Sequence, residues 1–503
     1  MTDDPTPIEH PTYMADIRHF FRDIDIDHMK DPQISGGGIE LGTYVGVKAN
    51  ALRIYVRTKE GTMPPDQAWP EWKVETFYNW IRDNFPRGQS TPVPAMLAAA
   101  PTALRVRRNL ASLTGPELDK VKAAFRGIMA RDASDPNSYF QVAGIHWLPG
   151  GGTSIYYCRH HENAYNPWHR AYLMRFEDAL RTVPGCEDVT LPYWDITEPE
   201  IPSVLFDEPF ASYTIPRELT PMVGPSYPAG TVTRRNDAKA ILATFNDPKV
   251  ALVQNVKAAL GFSRWEEFNG WDAGRTQTGI IRAHDNGHNA CGPTMQNQDV
   301  AAFDPIFWFF HSNWDRLWWK WQQQYGATTL NTFKGHLAGD AGWLEDRVVN
   351  GLPPFTMTAA ETIDLSAMDV DYEHPADEPV LPHASLRGSF LAAARFSVAP
   401  TPKVSVRLKE VDRLEIPGSF NVYLKVGGRV VAQDGLFQPT TPKLCATCRK
   451  SALVSFDFLV DQDELSGGEI EAEIRLLTRD GGEMPFSLAR AGNPTINARL
   501  LLQ

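Results

Sequence analysis

The chain has 503 residues, of which 43% are hydrophobic and 22% charged, enough for roughly two to four domains with large buried cores. Its formal net charge of −12 excludes the basic surface expected of a protein that binds nucleic acid or an anionic membrane. No apolar run approaches the ~20 residues of a membrane span, and the acidic, polar start is not typical of a signal peptide, so we expect a cytoplasmic protein.

The first hundred residues predict a small helical module. "IRHFFRDIDIDHMKD" and "WKVETFYNWIRDNFP" place apolar residues at helical spacing, and the second stretch ends at a proline. We expect residues 1–13 to be a disordered leader, and residues 14–100 to hold the module and the start of the proline- and alanine-rich linker "STPVPAMLAAAPTA". Beyond that linker, Ser112 or Thr114 is positioned to cap a helix.

The central part of the chain concentrates histidine, with seven of the 13 histidines lying between His146 and His311. In "HDNGH", His284 and His288 are four residues apart, so on a helix both imidazoles point to one side and can reach one metal ion. A surface helix that carries two histidines is the alternative.

The stretch "FDPIFWFFHSNWDRLWWKWQ" predicts a buried helix, because it is almost wholly aromatic and apolar after its start signal Asp304-Pro305. His311 lies inside it and Asp315 follows one turn later. We expect Asp315 to hold the ring nitrogen of His311 that does not bind metal. A core histidine hydrogen-bonded to Asp315, with no metal, is the alternative.

A second group of histidines, nearer the N-terminus than "HDNGH", also supplies three candidate ligands. "CRHHENAYNPWHRAYL" and the preceding His146 supply one set of three, and the two later motifs supply another. Sites built only from histidine suit copper or zinc better than calcium or magnesium. Two such sites facing each other leave positions for a bridging small molecule, for which dioxygen between two copper ions is the natural candidate.

These motifs resemble those of type-3 copper proteins, the tyrosinase and catechol oxidase (polyphenol oxidase) family. "CRHHENAYNPWHRAYL", "LPYWDI", "HDNGHN" and "DPIFWFFHSNWDRLW" carry the resemblance over about residues 105 to 375. It implies two copper ions that bind O2 as peroxide. It also implies a mainly α catalytic domain at residues 101–375, with a four-helix bundle around the dicopper site and long loops.

The resemblance implies six copper ligands. They are His146, His160 and His169 for one ion, and His284, His288 and His311 for the other. Neighbouring residues on a helix diverge by about 100°, so His160 and His161 are not expected to ligate together. The family usually has a His-His pair at the last ligand, whereas this chain has Phe310 before His311.

Two further residues near the ligands are assigned roles by the resemblance. Cys158 is expected to form a thioether with His160; a free buried cysteine is the alternative. The glutamate that members hydroxylating monophenols usually carry is missing from "GRTQTGIIRA", and Glu266 and Glu267 could replace it only if a loop folds in. Asp285 is therefore our candidate for the catalytic base, or the holder of a water, that deprotonates a phenol. Solvation of a helix start is the alternative role.

Residues 376–503 predict an antiparallel β-sandwich, joined through the linker "VDYEHPADEPVLPH". "KVSVRLKEV", "FNVYLKVGGRVV", "ALVSFDFLV" and "EIEAEIRLLT" alternate apolar and polar residues. Long-form fungal relatives imply that Cys445 and Cys448 deliver copper and that Phe437, on the loop "GLFQ", plugs the copper pocket. The domain would then be a lid, which we expect acid to loosen. Alternatives are a zinc half-site, a redox pair or surface disulfide, and a core phenylalanine.

The sequence thus predicts an enzyme that uses copper and O2 to oxidise phenols and o-diphenols to o-quinones. The alternatives are a catechol or o-aminophenol oxidase with little monophenol hydroxylation, an O2 carrier, and a two-zinc hydrolase. The expected partners are a phenolic small molecule and O2, without nucleic acid or membrane; a homo-oligomer is left open.

Overall fold

The structure is a computed structural model. It describes residues 6–13, 15–30, 41–42, 44–64, 68–83, 85–86, 104–146, 158–219, 226–270, 276–339, 341–345, 355, 357–373 and 403–500. The first predicted linker and most of the second lie outside these residues. In the part of the chain that is described, no helix is long and apolar enough to cross a membrane.

The N-terminal helices pack around their own aromatic core, in which Phe77 and Trp80 are fully buried. They are α1 Asp23–Lys30, α2 Tyr44–Ala49, α3 Ala51–Lys59 and α4 Glu71–Arg82. The expectation of a disordered leader is wrong for residues 8–13. The backbone N–H of Ile8 donates to Thr76 Oγ1 and the Asn79 amide donates to the carbonyl of Ile8, both across to α4.

The central domain is helical. Its helices are α5 Gly115–Met129, α6 Tyr139–Ala143, α7 Tyr165–Arg181, α8 Ala238–Phe245, α9 Leu252–Leu260, α10 Trp265–Asn269, α11 Gly279–Cys291, α12 Ile306–Tyr325, α13 Leu330–Lys334 and α14 Gly342–Glu345. Thr114 and Glu117 form a capping box that begins α5. Aromatic stacking joins the long helices: Phe176 of α7 lies on Trp308 of α12 with ring planes 9° apart.

Helix α12 is buried as its composition predicts, but it begins at Ile306, with Pro305 in the cap position. Asp304 was the expected cap. Its carboxylate does accept the N–H of Ile306, but it also pairs with Arg235, an ion pair that a local sequence signal does not reveal.

The C-terminal residues form two sheets, and one short helix, α15 Ala446–Lys450, lies in the chain between the strand that ends at Leu436 and the strand that begins at Leu453. The strands of the protein are β1 Arg105–Arg107, β2 Thr276–Gln277, β3 Val370–Tyr372, β4 Lys403–Asp412, β5 Phe420–Val426, β6 Arg429–Leu436, β7 Leu453–Asp461, β8 Ile470–Leu477, β9 Glu483–Phe486 and β10 Thr495–Leu500. The sheets have the orders β10-β4-β7-β2 and β6-β5-β8-β9. The predicted fold class, a mainly helical core followed by antiparallel sheets, is confirmed.

The C-terminal sheets are attached to the central domain in two places. Strand β2, which directly precedes α11, pairs in parallel with β7 through Thr276 and Ser455. Strand β6 lies against α11 itself, where a Cβ on Gly435 would come within 2.5 Å of the Asn289 side-chain nitrogen. The helix that carries two histidines of the site is therefore in contact with both C-terminal sheets.

Candidate metal centre

Six histidines from four segments meet inside the central domain, and each is at most 3% exposed. His146 follows α6, His160 precedes α7, and His169 lies on α7. His284 and His288 lie on one face of α11, and His311 lies on α12. The two sets face each other: His169 stacks on His311 with ring centroids 4.4 Å apart, and His160 and His284 are 5.2 Å apart.

The geometry groups the ligand atoms nearly as predicted. The nearest nitrogens of His284, His288 and His311 all lie within 4.8 Å of one another, and Cys158, His146 and His160 form an equally tight group. His169, the third predicted member of the first set, is outside that group; its ring centroid lies 4.9 Å from that of His160 and 6.0 Å from that of His146.

Ring nitrogens show that the site fits metal ions. The Nδ1 atoms of His146, His169 and His288 contact the backbone carbonyls of Gln298, Tyr165 and Met295. A carbonyl can only accept, so each Nδ1 carries the proton and each Nε2 has a free lone pair. Nε2 is buried without a hydrogen-bond partner in His146, His160, His169 and His284. Such orphaned acceptors, aimed at one another, are explained by cations between them.

Burial keeps these rings neutral. It lowers the pKa of every one of the six histidines, and neighbouring histidines lower it further in several. For His146 the pKa falls to about 3. Neutral imidazole is the form that binds a transition metal, so desolvation prepares the ligands for binding.

The prediction that Asp315 holds the ring of His311 is wrong. The Asp315 carboxylate accepts hydrogen bonds from Arg107, Arg170 and Tyr372, and Nδ1 of His311 has no partner. The spacing of one turn put both side chains on the same helix face. Two buried guanidinium groups nevertheless attract the carboxylate more strongly than a neutral imidazole does.

Cys158 lies at the edge of the His160 ring, with its Sγ 3.1 Å from Nδ1. The side-chain amide of Gln298 donates to the same sulfur at 3.0 Å. Burial raises the pKa of the Cys158 thiol well above its ordinary value. The distance is short enough for the expected cross-link to need little movement of either side chain.

Asp285 does not solvate a helix start, because its side chain is fully buried. One carboxylate oxygen contacts Nδ1 of His284 at 2.8 Å. The other accepts from Nε2 of His161 at 2.9 Å and from the backbone N–H of Phe437 at 3.1 Å. Asp285 thus connects a candidate metal ligand to the C-terminal domain.

Phe437 lies within the histidine site. Its ring stacks on His288 with centroids 3.9 Å apart and planes 11° apart, and it meets His160 edge-on at 5.3 Å. The residue is fully buried and belongs to the core of the central domain. Gly435, two residues earlier, allows β6 to approach α11 closely enough for this.

Cys445 and Cys448 are buried at the start of α15. Burial opposes ionisation of Cys445, but hydrogen bonds from Cys448 and Thr447, together with the nearby Arg413 charge, lower its pKa to about 6. Cys445 in turn contributes to the raised pKa of Cys158, so the dithiol lies near the site.

The two glutamates considered as replacements for the missing upstream glutamate do not point into the site. Glu266 accepts hydrogen bonds from the backbone N–H groups of Ala338 and Gly339, and Glu267 is exposed.

Sequence reasoning missed Arg413 and gave His161 no role. Arg413 is 1% exposed and follows β4, and it donates to Nδ1 of His161 at 3.0 Å. No local signal marks Arg413, because its importance depends on contacts across the domain boundary. The second histidine of "CRHH" was the one available clue to His161.

A helical core with two facing groups of buried histidines fits a dinuclear, histidine-ligated metal site. Residues 136–324 match the family model described as the common central domain of tyrosinase. This part of the chain therefore carries a tyrosinase-type central domain, in agreement with the resemblance to type-3 copper proteins.

The similar proteins include some named tyrosinase and others named hemocyanin. The chain is 27% identical over 263 residues to the tyrosinase HcTyr1 of a Hahella species, covering 46% of this chain and 56% of that protein. It is 31% identical over 273 residues to an Enteroctopus dofleini hemocyanin, covering 52% of this chain and 9% of that protein. The match thus spans little more than half of HcTyr1.

A solved structure shows the same fold. The tyrosinase from Burkholderia thailandensis at high pH superposes with a TM-score of 0.55 and 21% identity, covering 79% of this chain and all of that chain.

Proposed function

We propose that the protein uses two copper ions and O2 to oxidise phenols and o-diphenols to o-quinones. His146, His160 and His169 would hold one ion, and His284, His288 and His311 the other. When bound, a copper pair supplies the exchange of electrons with dioxygen, which zinc cannot supply.

The observation that carries this proposal is the position of Phe437. The Phe437 ring lies flat on a candidate ligand, His288, and both side chains are fully buried. The space that the Phe437 ring occupies therefore has the shape and the apolar surroundings to accept a six-membered ring. A phenol that replaced Phe437 would be oriented by the same stacking and shielded from water by Phe310 and Trp314 near His284.

Asp285 is proposed as the group that receives the phenolic proton, or holds the water that does so. The contact with the N–H of Phe437 occupies part of the carboxylate while the domain is docked. Departure of Phe437 would free that position next to the ring it vacates. Asp285 also bonds to His284, so alanine at this position would disturb the ligand as well.

Asp285→Asn is the sharper test, since it keeps the size of the side chain and removes most of the basicity. The rate of monophenol oxidation should fall at least about tenfold more than the rate of diphenol oxidation, within the range typical of general-base catalysis. Equal losses on matched phenol and catechol, at equal copper content, would assign Asp285 a purely structural role.

We propose that the C-terminal domain is a lid with Phe437 as its plug, and that Cys445 and Cys448 pass copper inward. Soft thiolates suit Cu(I), and the lowered pKa of Cys445 favours the thiolate. A thioether between Cys158 and His160 would fix that ring before a substrate O2 molecule binds.

A reversible O2 carrier is the second candidate, favoured by the similarity to hemocyanin. Catechol or o-aminophenol oxidation without strong monophenol hydroxylation is the narrower alternative, favoured by the missing upstream glutamate. A two-zinc hydrolase would bind zinc and show no O2-dependent absorption.

The deciding experiment measures metal content, then oxidation of matched mono- and diphenols, with the intact chain and with a chain truncated near residue 385. Rapid quinone formation by copper-loaded protein supports the enzyme. If both the intact and the truncated chain bind copper and O2 but form no quinone, the protein is better explained as a reversible O2 carrier.

A further inference from the structure

A buried arginine of the C-terminal domain, Arg413, has no carboxylate partner in the described part of the chain. Among the described residues, the Arg413 guanidinium contacts no carboxylate; it donates to Gln438 Oε1 at 2.9 Å, His161 Nδ1 at 3.0 Å and Cys448 Sγ at 3.4 Å. Burying a guanidinium without a carboxylate to bond is costly, so its position at this depth suggests a role other than stabilising the sheet.

Arg413 fixes the proton on the His161 ring. A guanidinium can only donate, so Nδ1 of His161 must be the acceptor and Nε2 must carry the hydrogen. That hydrogen is directed at the Asp285 carboxylate, 2.9 Å away. His161 adopts a left-handed backbone, with φ 61°, which is unfavourable for a residue with a side chain and is maintained by these contacts on both sides of its ring.

The chain of hydrogen bonds ends at a metal ligand. Asp285 accepts from Nε2 of His161 through one oxygen and contacts Nδ1 of His284 through the other. A carboxylate so held takes the hydrogen of His284 Nδ1, which leaves Nε2 of His284 as the lone pair in the site. That Nε2 has no hydrogen-bond partner.

We propose that Arg413 is a positioning residue for the second copper site: through His161 and Asp285 it sets the tautomer and direction of His284. The docked C-terminal domain therefore does more than cover the pocket. Through Arg413 it also completes the support of one ligand. This inference rests on the copper binding in the proposed function, and it does not depend on which phenol is oxidised.

The test measures copper release from purified, copper-loaded full-length chains by a Cu(I) chelator, with thermal unfolding of the metal-free proteins as a check on folding. Arg413→Met keeps the aliphatic stem and removes the donor, and His161→Leu removes both ring nitrogens. Each should release one of the two copper ions about 10–100-fold faster than the native chain, the effect typical of losing a partner that orients a metal ligand.

Conservative variants separate positioning from general damage. Glutamine at residue 161 offers an oxygen to Arg413 and an N–H to Asp285, so His161→Gln should restore slow release to within about threefold of native. Asp434→Asn is the matched control, because it weakens a buried ion pair with Arg282 across the same domain interface without contacting His161. It should leave release slow.

Native release rates in folded Arg413→Met and His161→Leu would overturn the proposal. Equally fast release from Asp434→Asn would also overturn it, because loosened docking would then explain the effect. If Arg413→Met does not fold, Arg413→Lys, which keeps one donor, and the contrast of His161→Leu with His161→Gln carry the test. Failure of the oxidase function would appear as copper-loaded native chain without quinone formation, an outcome that leaves the release comparison intact.

Discussion

The ring of Phe437 lies on the imidazole of His288, with centroids 3.9 Å apart and ring planes 11° apart, although 149 residues separate them in the chain. The contact places an apolar side chain where a substrate ring would bind. Burying a phenylalanine contributes about 1.5–3 kcal/mol, and a tethered plug also benefits from a high effective concentration. Under the proposed function, docking of Phe437 and binding of a substrate ring would therefore compete for one space.

Removing the plug should activate the enzyme. Phe437→Ala loses most of that burial, and each 1.4 kcal/mol shifts the docking equilibrium about tenfold, so the initial rate on a bulky diphenol should rise about tenfold or more. Leu459→Ala, at a 60% exposed position of the same domain, is the control and should change nothing. If truncation near residue 385 activates and Phe437→Ala does not, the lid stands and another residue is the plug.

His288 should be required for one copper ion. His288→Ala removes one ligand of the second triad, so metal analysis should find one of the two ions lost, with essentially no oxidation of catechol. His336→Ala is the control, because that ring bonds to the carbonyl of Ser263 outside the triads. Full copper content in His288→Ala would contradict the ligand assignment.

Cys158 should be cross-linked in copper-loaded protein. Its Sγ lies 3.1 Å from the His160 ring, and a thioether resists reducing agents that cleave disulfides. Peptide mapping should recover the two residues in one product that lacks two hydrogens. Alkylation of Cys158 in fully active enzyme would rule the cross-link out.

Acid should not release the lid through Asp434, contrary to the expectation from sequence. Burial raises the pKa of Asp434 above its ordinary value of 3.8, against the opposing effects of Arg282, Asn286 and the backbone N–H of Gly435, while Asp457 adds to the rise. The docked domain thus binds this proton more tightly than a released one. Protonation of Asp434 therefore stabilises the docked domain. This stabilisation is fully present below pH 3.8, the ordinary pKa, and is lost as the pH rises through the raised pKa of the docked domain.

A cleavage site inserted near residue 385 permits the measurement, since dissociation of the two fragments can then be followed against pH. Dissociation of the fragments should increase as the pH rises from 3.8 through the raised pKa of Asp434. Asp434→Asn should make dissociation less dependent on pH over the same interval. Stronger dissociation in acid, abolished by Asp434→Asn, would reverse the assignment.

Asp315 should matter for stability and not for copper. Its carboxylate is the partner of the buried Arg170 and one of two for Arg107, so Asp315→Asn should lower the free energy of unfolding by about 3–5 kcal/mol in urea. Asp461→Asn, which breaks an exposed pair with Lys403, should cost less than about 1 kcal/mol. Since His311 does not bond to Asp315, copper content should be unchanged in the folded variant.

Sequence by itself determined the elements whose signals are local. The four-residue spacing of His284 and His288, the aromatic run around His311, and the period-two strands from residue 403 onward depend on the intrinsic periods of helices and strands, and each formed as predicted. The resemblance of the motifs supplied the pairing of the histidines, which spacing alone leaves open.

Only the tertiary structure decided which buried groups become hydrogen-bonding, packing or strand-pairing partners. Asp315 turned to two arginines rather than to His311, residues 8–13 packed on a helix, and strand β2 joined a sheet of another domain. Arg413 reached the candidate ligand His284 through His161 and Asp285. Such choices are made by competition among polar groups removed from water, and a linear pattern does not contain the distances on which that competition depends.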